Sequence, residues 1–265
     1  MAKIRYNEML PHEIVAARQA CPVAYLPVGN IEWHGEHLPV GYDALKADML
    51  AVKCAEQSGG LVFPPLYWGE PRESHLVEAH SDVADPRLVA DKMGLPAQNF
   101  APGYMGKSYH EADRFYIELL VHILREVQSL GFMVMTIIAG HYPLLHHARA
   151  ACQWYSLGLP DSPKTRAWAC SGYELVKDQI PDAGDHAAKW ETSLLMALCP
   201  ELVDMSRLPD DPRAQLIGVG GINPRNSASA EYGKAGVEAI VTAITTRNHA
   251  LLEELLTTES RGEEA

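Results

Sequence analysis

The stretch VAYLPVGNIEWHGEHLPVGYDALKADML, residues 23–50, changes character twice along its length. It opens on a short apolar run, which is typical of a buried strand in a parallel sheet. Residues 29–43 are rich in Gly, Pro, His and acidic side chains, and a helical pattern begins at residue 44. A strand, a polar loop and a helix in this order form the first half of a βαβ unit. The stretch therefore predicts an α/β fold with a mainly parallel sheet.

The same alternation continues along the chain. Strands are predicted over residues 23–28, 61–66, 133–139 and 166–170. Helices are predicted over residues 44–58, 111–131, 143–158, 190–199 and 231–257. Residues 69–108 are rich in Pro, Gly and charge and exceed an ordinary connection, which predicts a functional loop or lid. We expect one domain over residues 1–258, containing that loop, and an acidic tail over residues 259–265.

Charge and cysteine usage narrow the class of protein. The 265 residues carry a formal net charge of -12, which disfavours nucleic acid or an anionic membrane as a partner because both require clustered Lys and Arg. No apolar window reaches the length of about 18 residues that spans a bilayer, and the N-terminus lacks the apolar core of a signal peptide. We therefore expect a cytoplasmic protein. Five scattered cysteines without a CxxC pair predict reduced, mostly buried thiols.

Ionisable side chains gather after two of the predicted strands. Glu32 and His34 follow the first strand, and their i, i+2 spacing places them on one side of an extended segment. Asp43 stands at the start of the next helix, where an Asp also serves as a cap. His141 follows the strand over residues 133–139. Because open α/β sheets bind ligands at the carboxyl ends of their strands, the four side chains can meet in one cleft.

Imidazole and carboxylate groups together are suitable ligands for Zn²⁺, Mn²⁺ or Fe²⁺. Four groups can hold two ions only if one carboxylate bridges them, and Asp43 is the candidate for that bridge. Two such ions would activate a water molecule and polarise a carbonyl, which is the equipment of a hydrolase. Glu36 and His37 are candidate supporting groups in the same loop. The alternative interpretation is a solvated loop followed by an ordinary helix cap.

Three segments resemble one known family. Residues 27–43, PVGNIEWHGEHLPVGYD, resemble the creatininase (creatinine amidohydrolase) family motif PxGSxEQHGPHLPxGTD. Residues 139–142, AGHY, resemble the family's NGH segment, and residues 185–193, DHAAKWETS, resemble its distal HAGxxETS segment. The resemblance implies a three-layer α/β/α fold, a homo-oligomer (typically a hexamer) and a two-metal centre. It also implies hydrolysis of amide-type C–N bonds in small cyclic or modified molecules.

The resemblance assigns a role to each matched residue. The metal ligands that it implies are Glu32, His34, Asp43 and His141. It implies that Asp43 is the bridge, that His186 lies near the substrate, and that Glu191 is either a further ligand or a group supporting the ligands. From the residues themselves, His186 is a candidate general acid or base, oriented by the carboxylate of Asp185, with a surface histidine as the alternative.

The chain departs from the family pattern in two places. Creatininase itself carries a glutamate that binds the second metal where this chain has Pro143. We therefore expect either one loosely held ion or Glu191 in place of the missing carboxylate. The family's YGxSxEHxxFPGT segment is replaced by YWGEPRESHLVEAH, residues 67–80, which favours a changed substrate. Within it, Arg72 is a candidate to bind a substrate carboxylate or carbonyl, with a solvated loop face as the alternative.

The leading functional hypothesis is a metal-dependent hydrolase of a small molecule, an amidohydrolase acting on a cyclic amide or formamide. Trp33 and Trp190 flank candidate site residues and are predicted to wall the substrate pocket, with core packing as the alternative. One alternative function is ring opening of a cyclic polyol ketone (inosose-like) by C–C hydrolysis; another is a metal-free binding protein on the same fold. The glycine run over residues 217–224 lacks GxGxxG spacing, and no GxSxG elbow occurs, so neither a nucleotide site nor a nucleophilic serine is indicated.

Overall fold

In the described part of the chain, one sheet of four parallel strands lies at the centre, in the order β2-β1-β3-β4. The computed structural model describes residues 3–69, 86–96, 108–159, 164–211 and 213–263. The strands are β1 (Val23–Val28), β2 (Leu61–Val62), β3 (Val134–Ala139) and β4 (Arg166–Cys170). β2 is shorter than predicted, because Pro64 and Pro65 have no N–H to continue the ladder. Pairing returns only as an isolated bridge between Leu66 and Val28.

Helices cover both faces of the sheet. They are α1 (Pro11–Ala20), α2 (Tyr42–Ser58), α3 (Pro86–Lys92), α4 (Tyr109–Ser129), α5 (Leu144–Leu157), α6 (Tyr173–Val176), α7 (Lys189–Leu198) and α8 (Ala230–Glu263). The sequence did not predict α1, α3 or α6, and α8 continues beyond its predicted end at residue 257. α3 lies inside the predicted loop at 69–108, most of which falls outside the described residues. No helix in the described ranges is both long and apolar enough to cross a membrane.

The alternation of side chains along the strands builds two cores. Tyr25 and Ile138 pack on the side of the sheet that is covered by α2, α7 and α8. Leu26 and Met135 point the other way, toward α4 and α5. Successive strand residues face opposite sides of a sheet, so each strand contributes to both cores. The three-layer α/β/α architecture with a parallel sheet is therefore confirmed.

The five cysteines are all free thiols. Four of them are buried and Cys21 is half-buried. This agrees with the prediction of reduced, mostly buried thiols.

A crevice forms where the chain direction reverses across the sheet. From β1 the chain passes through α2 to β2 on one side, and it later places β3 on the other side of β1. The loops that follow β1 and β3 diverge there, which leaves room at the carboxyl ends of the two strands. Two glycines bring the start of α2 over this crevice. A β-carbon on Gly29 would lie 2.2 Å from the backbone nitrogen of Ala44, and one on Gly140 would lie 1.8 Å from the carbonyl oxygen of Asp43.

Candidate metal centre

A cavity of about 470 Å³ opens at this crevice. Its walls include acidic and imidazole side chains from the loops after β1 and β3, from the first turn of α2 and from the region around the start of α7. The four predicted ligands Glu32, His34, Asp43 and His141 are all buried in this region. The structure therefore brings together side chains that are far apart in the sequence.

The first cluster consists of Glu32, Asp43 and His141. Nδ1 of His141 lies 2.7 Å from Oε2 of Glu32 and 3.1 Å from Oδ2 of Asp43. The three potential ligand atoms lie within 4.8 Å of one another. Both carboxylate oxygens are buried, yet neither has a hydrogen-bond partner of adequate geometry among the residues that the structure describes. Since buried polar atoms are almost always satisfied, this donor set fits a divalent cation.

The second cluster consists of His34, Asp43 and Glu191. Nε2 of His34 lies 3.4 Å from Oδ1 of Asp43 and 3.6 Å from Oε2 of Glu191. These atoms also fall within 4.8 Å of one another. Asp43 therefore turns one carboxylate oxygen toward each cluster. That division is what a bridging carboxylate requires.

Asp43 does not cap α2, contrary to the expectation from its position in the sequence. The helix begins at Tyr42 with Gly41 as the N-cap residue, and no side chain makes a capping bond there. Asp43 lies within the first turn, and its carboxylate faces His34 and His141 instead. The close approach of α2 to Gly140 allows this, because it places the first helical turn directly over the strand ends.

Glu191 lies in the first turn of α7, close to a strained segment of backbone. Its Oε2 accepts a hydrogen bond from the backbone N–H of Ala187 at 2.9 Å. Ala187 has φ of 52°, the left-handed region that a non-glycine residue rarely adopts. Pro143, which occupies the position of the carboxylate expected in creatininase, is the N-cap residue of α5 and lies on the cavity wall.

The two clusters attract positive charge. Burial opposes the charged form of His34, but Asp43 and Glu191 outweigh it and raise the pKa of His34 to about 9. Burial also opposes the charged form of Asp43, but His34 and His141 hold the pKa of this carboxyl well below its usual range. In the protein without metal, a proton on His34 thus balances the carboxylates. A divalent ion would displace that proton on binding.

His186 lies beside the second cluster, and its ring centroid is 4.5 Å from that of His34. Its Nε2 lies 3.0 Å from the carbonyl oxygen of Trp33. A carbonyl only accepts, so Nε2 carries the proton of this hydrogen bond, and Nδ1 holds the lone pair of the neutral ring. Burial and the neighbouring His34 lower the pKa of His186, which favours that neutral ring.

Asp185, predicted to orient His186, fixes the start of α7. Its carboxylate oxygens accept hydrogen bonds from the backbone N–H groups of Trp190 at 2.6 Å and Glu191 at 3.1 Å. Burial and the charge of Glu191 raise the pKa of Asp185 to about 7.

The backbone of His186 exchanges hydrogen bonds with Gly220. The glycine run at 217–224 therefore forms part of the cavity wall, a role that its spacing did not indicate.

Trp33 and Trp190 do not wall the cavity, which corrects the prediction from their positions. Trp190 is 1% exposed and packs in the core, with Tyr232 at a ring-centroid distance of 6.1 Å. The indole N–H of Trp33 donates to the carbonyl oxygen of Ile217. A residue adjacent to a site residue points to a different side of an extended or helical segment. Sequence adjacency to the predicted ligands was thus a poor guide to the residues that line the cavity.

The remaining predicted site residues differ in where they lie and what they contact. Glu36 forms a salt bridge with Lys92 of α3 at 3.1 Å. Nε2 of His37 lies 2.9 Å from Oγ1 of Thr192, which ties the loop after β1 to α7. Burial and the positive charge of His34 lower the pKa of His37 to about 4. Arg72 lies outside the described residues.

One buried cation at the centre was not predicted. Lys46 is 1% exposed, and its Nζ lies 2.7 Å from Oε1 of Glu191. Its spacing of three residues from Asp43 is the signal that could have indicated it, because residues three apart share a helix face. The sequence alone could not identify its partner, which lies 145 residues away.

Comparison with known proteins finds similarity to one family. A family model described as creatininase, creatinine amidohydrolase, matches residues 7–81 and 112–247. A creatinine amidohydrolase of Pseudomonas putida is 24% identical over 245 residues, covering 84% of this chain and 86% of that protein. A mutant creatininase of the Zn-Zn type has a TM-score of 0.65 at 21% identity, covering 96% of this chain and 99% of that chain. A creatininase structure described with Mn has a TM-score of 0.65 at 22% identity, with the same coverage.

Proposed function

The chain belongs to the creatininase family, and from this premise we propose that it is a metal-dependent hydrolase of a small molecule. In this proposal it cleaves a non-peptide C–N bond in a cyclic amide or formamide. The observation that carries the proposal is the pair of buried clusters that share Asp43 at the cavity. Relatives described with zinc and manganese support a divalent transition metal as the cofactor.

In this proposal the candidate ligands are divided between two ions. Glu32, Asp43 and His141 would hold one ion. His34, Asp43 and Glu191 would hold the other. Mixed imidazole and carboxylate donors suit Zn²⁺, Mn²⁺ or Fe²⁺. When bound, such ions supply a water molecule of lowered pKa and polarise a carbonyl group.

The protein's own residues supply the proton transfer. His186 would accept a proton from the attacking water at Nδ1 and pass it to the leaving nitrogen, as a general base and then a general acid. Its bond to the Trp33 carbonyl fixes the orientation of the ring and leaves Nδ1 as the proton acceptor. Asp185 would act indirectly, by anchoring the first turn of α7 and with it Glu191.

The cavity limits the substrate. Its volume suits a small molecule. The rings of Tyr142 and Tyr173, whose centroids are 4.5 Å apart, form an aromatic part of the wall. Among the described residues that line it, none is Lys or Arg. In the metal-loaded protein, fixed positive charge on the described part of the wall would therefore come from the bound ions.

Metal analysis is the first test. Protein purified without chelator should contain about two equivalents of transition metal, measured by plasma mass spectrometry. Less than about one equivalent, with no binding of added Mn²⁺ or Zn²⁺, would contradict the proposal and favour a metal-free binding protein.

A substrate panel is the second test. The metal-loaded protein should hydrolyse members of a panel of lactams, cyclic amides and formamides. Turnover confined to oxidised inositols would instead support ring opening by C–C hydrolysis. Full metal loading without turnover of either panel would contradict the amidohydrolase assignment for these substrate classes.

A further inference from the structure

Lys46 is a lysine buried against the candidate metal centre. Lysine is almost never fully buried unless its charge is paired. Here the partner is Glu191, with 2.7 Å between Nζ and Oε1. A charge pair inside a protein costs desolvation energy on both sides, so its presence calls for a reason beyond stability.

The surroundings of Lys46 fix the position of its ammonium group. Nζ lies 4.6 Å from the ring centroid of Tyr42 and 4.4 Å from that of Tyr142. Aromatic faces attract a cation within about 6 Å. The ammonium group is thus held between two rings and one carboxylate, on the same face of α2 as Asp43.

This arrangement divides the two oxygens of Glu191 between different tasks. Oε1 accepts from Lys46, while Oε2 accepts from the backbone N–H of Ala187 and lies 3.6 Å from Nε2 of His34. A donor on each oxygen prevents the carboxylate from rotating. Oε2 therefore stays directed at His34 and Asp43.

Resting on the proposed function, we propose that Lys46 is a positioning residue for the second ion. It fixes Glu191 as the third ligand beside His34 and Asp43, in place of a carboxylate at position 143, where this chain has proline. Groups that orient a metal ligand commonly change metal affinity by about 10- to 100-fold when they are removed. Lys46 needs no contact with the substrate for this role.

The test is Zn²⁺ binding to the full-length protein, by calorimetry and competition with a chelator. Lys46→Met should leave the ion at Glu32, Asp43 and His141 in place and weaken the second ion, at His34, Asp43 and Glu191, by about 10- to 100-fold. Lys53→Met is the matched control, because Lys53 lies on the exposed side of α2 and pairs only with Glu56 in the described structure. The control should bind both ions as the wild type does.

Two further variants make the result decisive. In a Glu191→Gln background, Lys46→Met should weaken the second ion no further, since both act through one ligand. Lys46→Arg keeps the charge but cannot place its donors at the same point, so it should weaken the second ion by a smaller factor. The arginine variant provides the readout if the methionine variant does not fold.

The outcomes separate this inference from the proposed function. A wild-type protein that binds no metal would contradict the proposed function itself. If the wild type binds two ions and Lys46→Met binds both with unchanged affinity, the proposed hydrolase stands but the role of Lys46 is overturned. If only Lys46→Arg folds, unchanged affinities in that variant lead to the same conclusion. A single ion in the active wild type would overturn it as well.

Discussion

The carbonyl oxygen of Asp43 packs against the α-carbon of Gly140 so closely that a β-carbon there would lie 1.8 Å from that oxygen. The contact joins the first turn of α2 to the end of β3. It also sets the distance between Asp43 and His141, which directly follows Gly140. The bridging position of Asp43 in the proposed centre therefore depends on the absence of a side chain at residue 140.

Gly140→Ala should disturb both the fold and the centre. The new methyl group must displace α2, which costs roughly 1–3 kcal/mol of unfolding free energy, as overpacking of a core does. Zn²⁺ binding should weaken at both ions, because Asp43 moves with the helix. Urea denaturation and calorimetry measure the two effects. Gly158→Ala is the control, since the nearest atom to its β-carbon lies 3.4 Å away; equal metal affinity in both variants would contradict the prediction.

Asp43→Asn should remove the metal without unfolding the protein. The amide keeps the shape of the side chain but removes the negative charge that both clusters share. We expect less than about one equivalent of metal by mass spectrometry, and turnover at background. Asp48→Asn is the matched control, because Asp48 is buried on the same helix but pairs with Arg5. Two retained ions in Asp43→Asn would exclude the bridge.

Ala187→Gly should destabilise the protein less than Ala188→Gly does. Ala187 has a left-handed φ of 52°, which costs an L-residue roughly 1 kcal/mol and costs glycine almost nothing. Both alanines are fully buried, so glycine loses packing and adds unfolded-state entropy at either position, but Ala188 has an ordinary φ of -104° and therefore no strain to relieve. Chemical denaturation should show a larger free energy of unfolding for Ala187→Gly than for Ala188→Gly. The reverse order would show that the strain is not relieved at residue 187.

His37 should make the metal-free protein less stable in mild acid. The pKa of His37 falls from 6.5 to about 4 on folding. Between pH 4 and pH 6.5, therefore, His37 is protonated in the unfolded chain but neutral in the folded protein. The stabilisation is complete above pH 6.5 and is lost as the pH falls toward 4. At pH 5 the loss is about 2 kcal/mol. Denaturation in chelator at pH 7.5 and pH 5.0 should show a weaker pH dependence in His37→Gln; an unchanged dependence would exclude His37 as its source.

The sequence predicted most of the sheet because its strands carry a strong local signal. β1 and β4 agree with the predicted residues, and β3 differs by one residue at its start. Each is a short apolar run that ends in a change of composition. β2 is shorter than its apolar run because Pro64 and Pro65 interrupt the ladder. The helix α1 was missed because it buries no residue fully, and its apolar pattern is correspondingly weak.

Part of the candidate site could likewise be predicted from the sequence, and part could not. Convergence of Glu32, His34, Asp43 and His141 could be predicted, because parallel strands end at one edge of a sheet. The contact between Lys46 and Glu191 could not, because it depends on how α7 packs against α2. The buried orientation of Trp190 has the same origin, since only the packing of α7 and α8 decides which side of the helix meets the core.

The placement of β2 and β3 on opposite sides of β1 has a consequence for partial or damaged chains. A fragment that ends before β3 retains Glu32, His34 and Asp43 but lacks His141 and Glu191, so it completes neither cluster. Pairing of β1 with β3 closes a segment of about a hundred residues, the kind of long-range contact that forms slowly during folding. Retention of metal would therefore indicate that the whole chain is intact. One proteolytic cut that releases the C-terminal half should cause the protein to lose its bound metal.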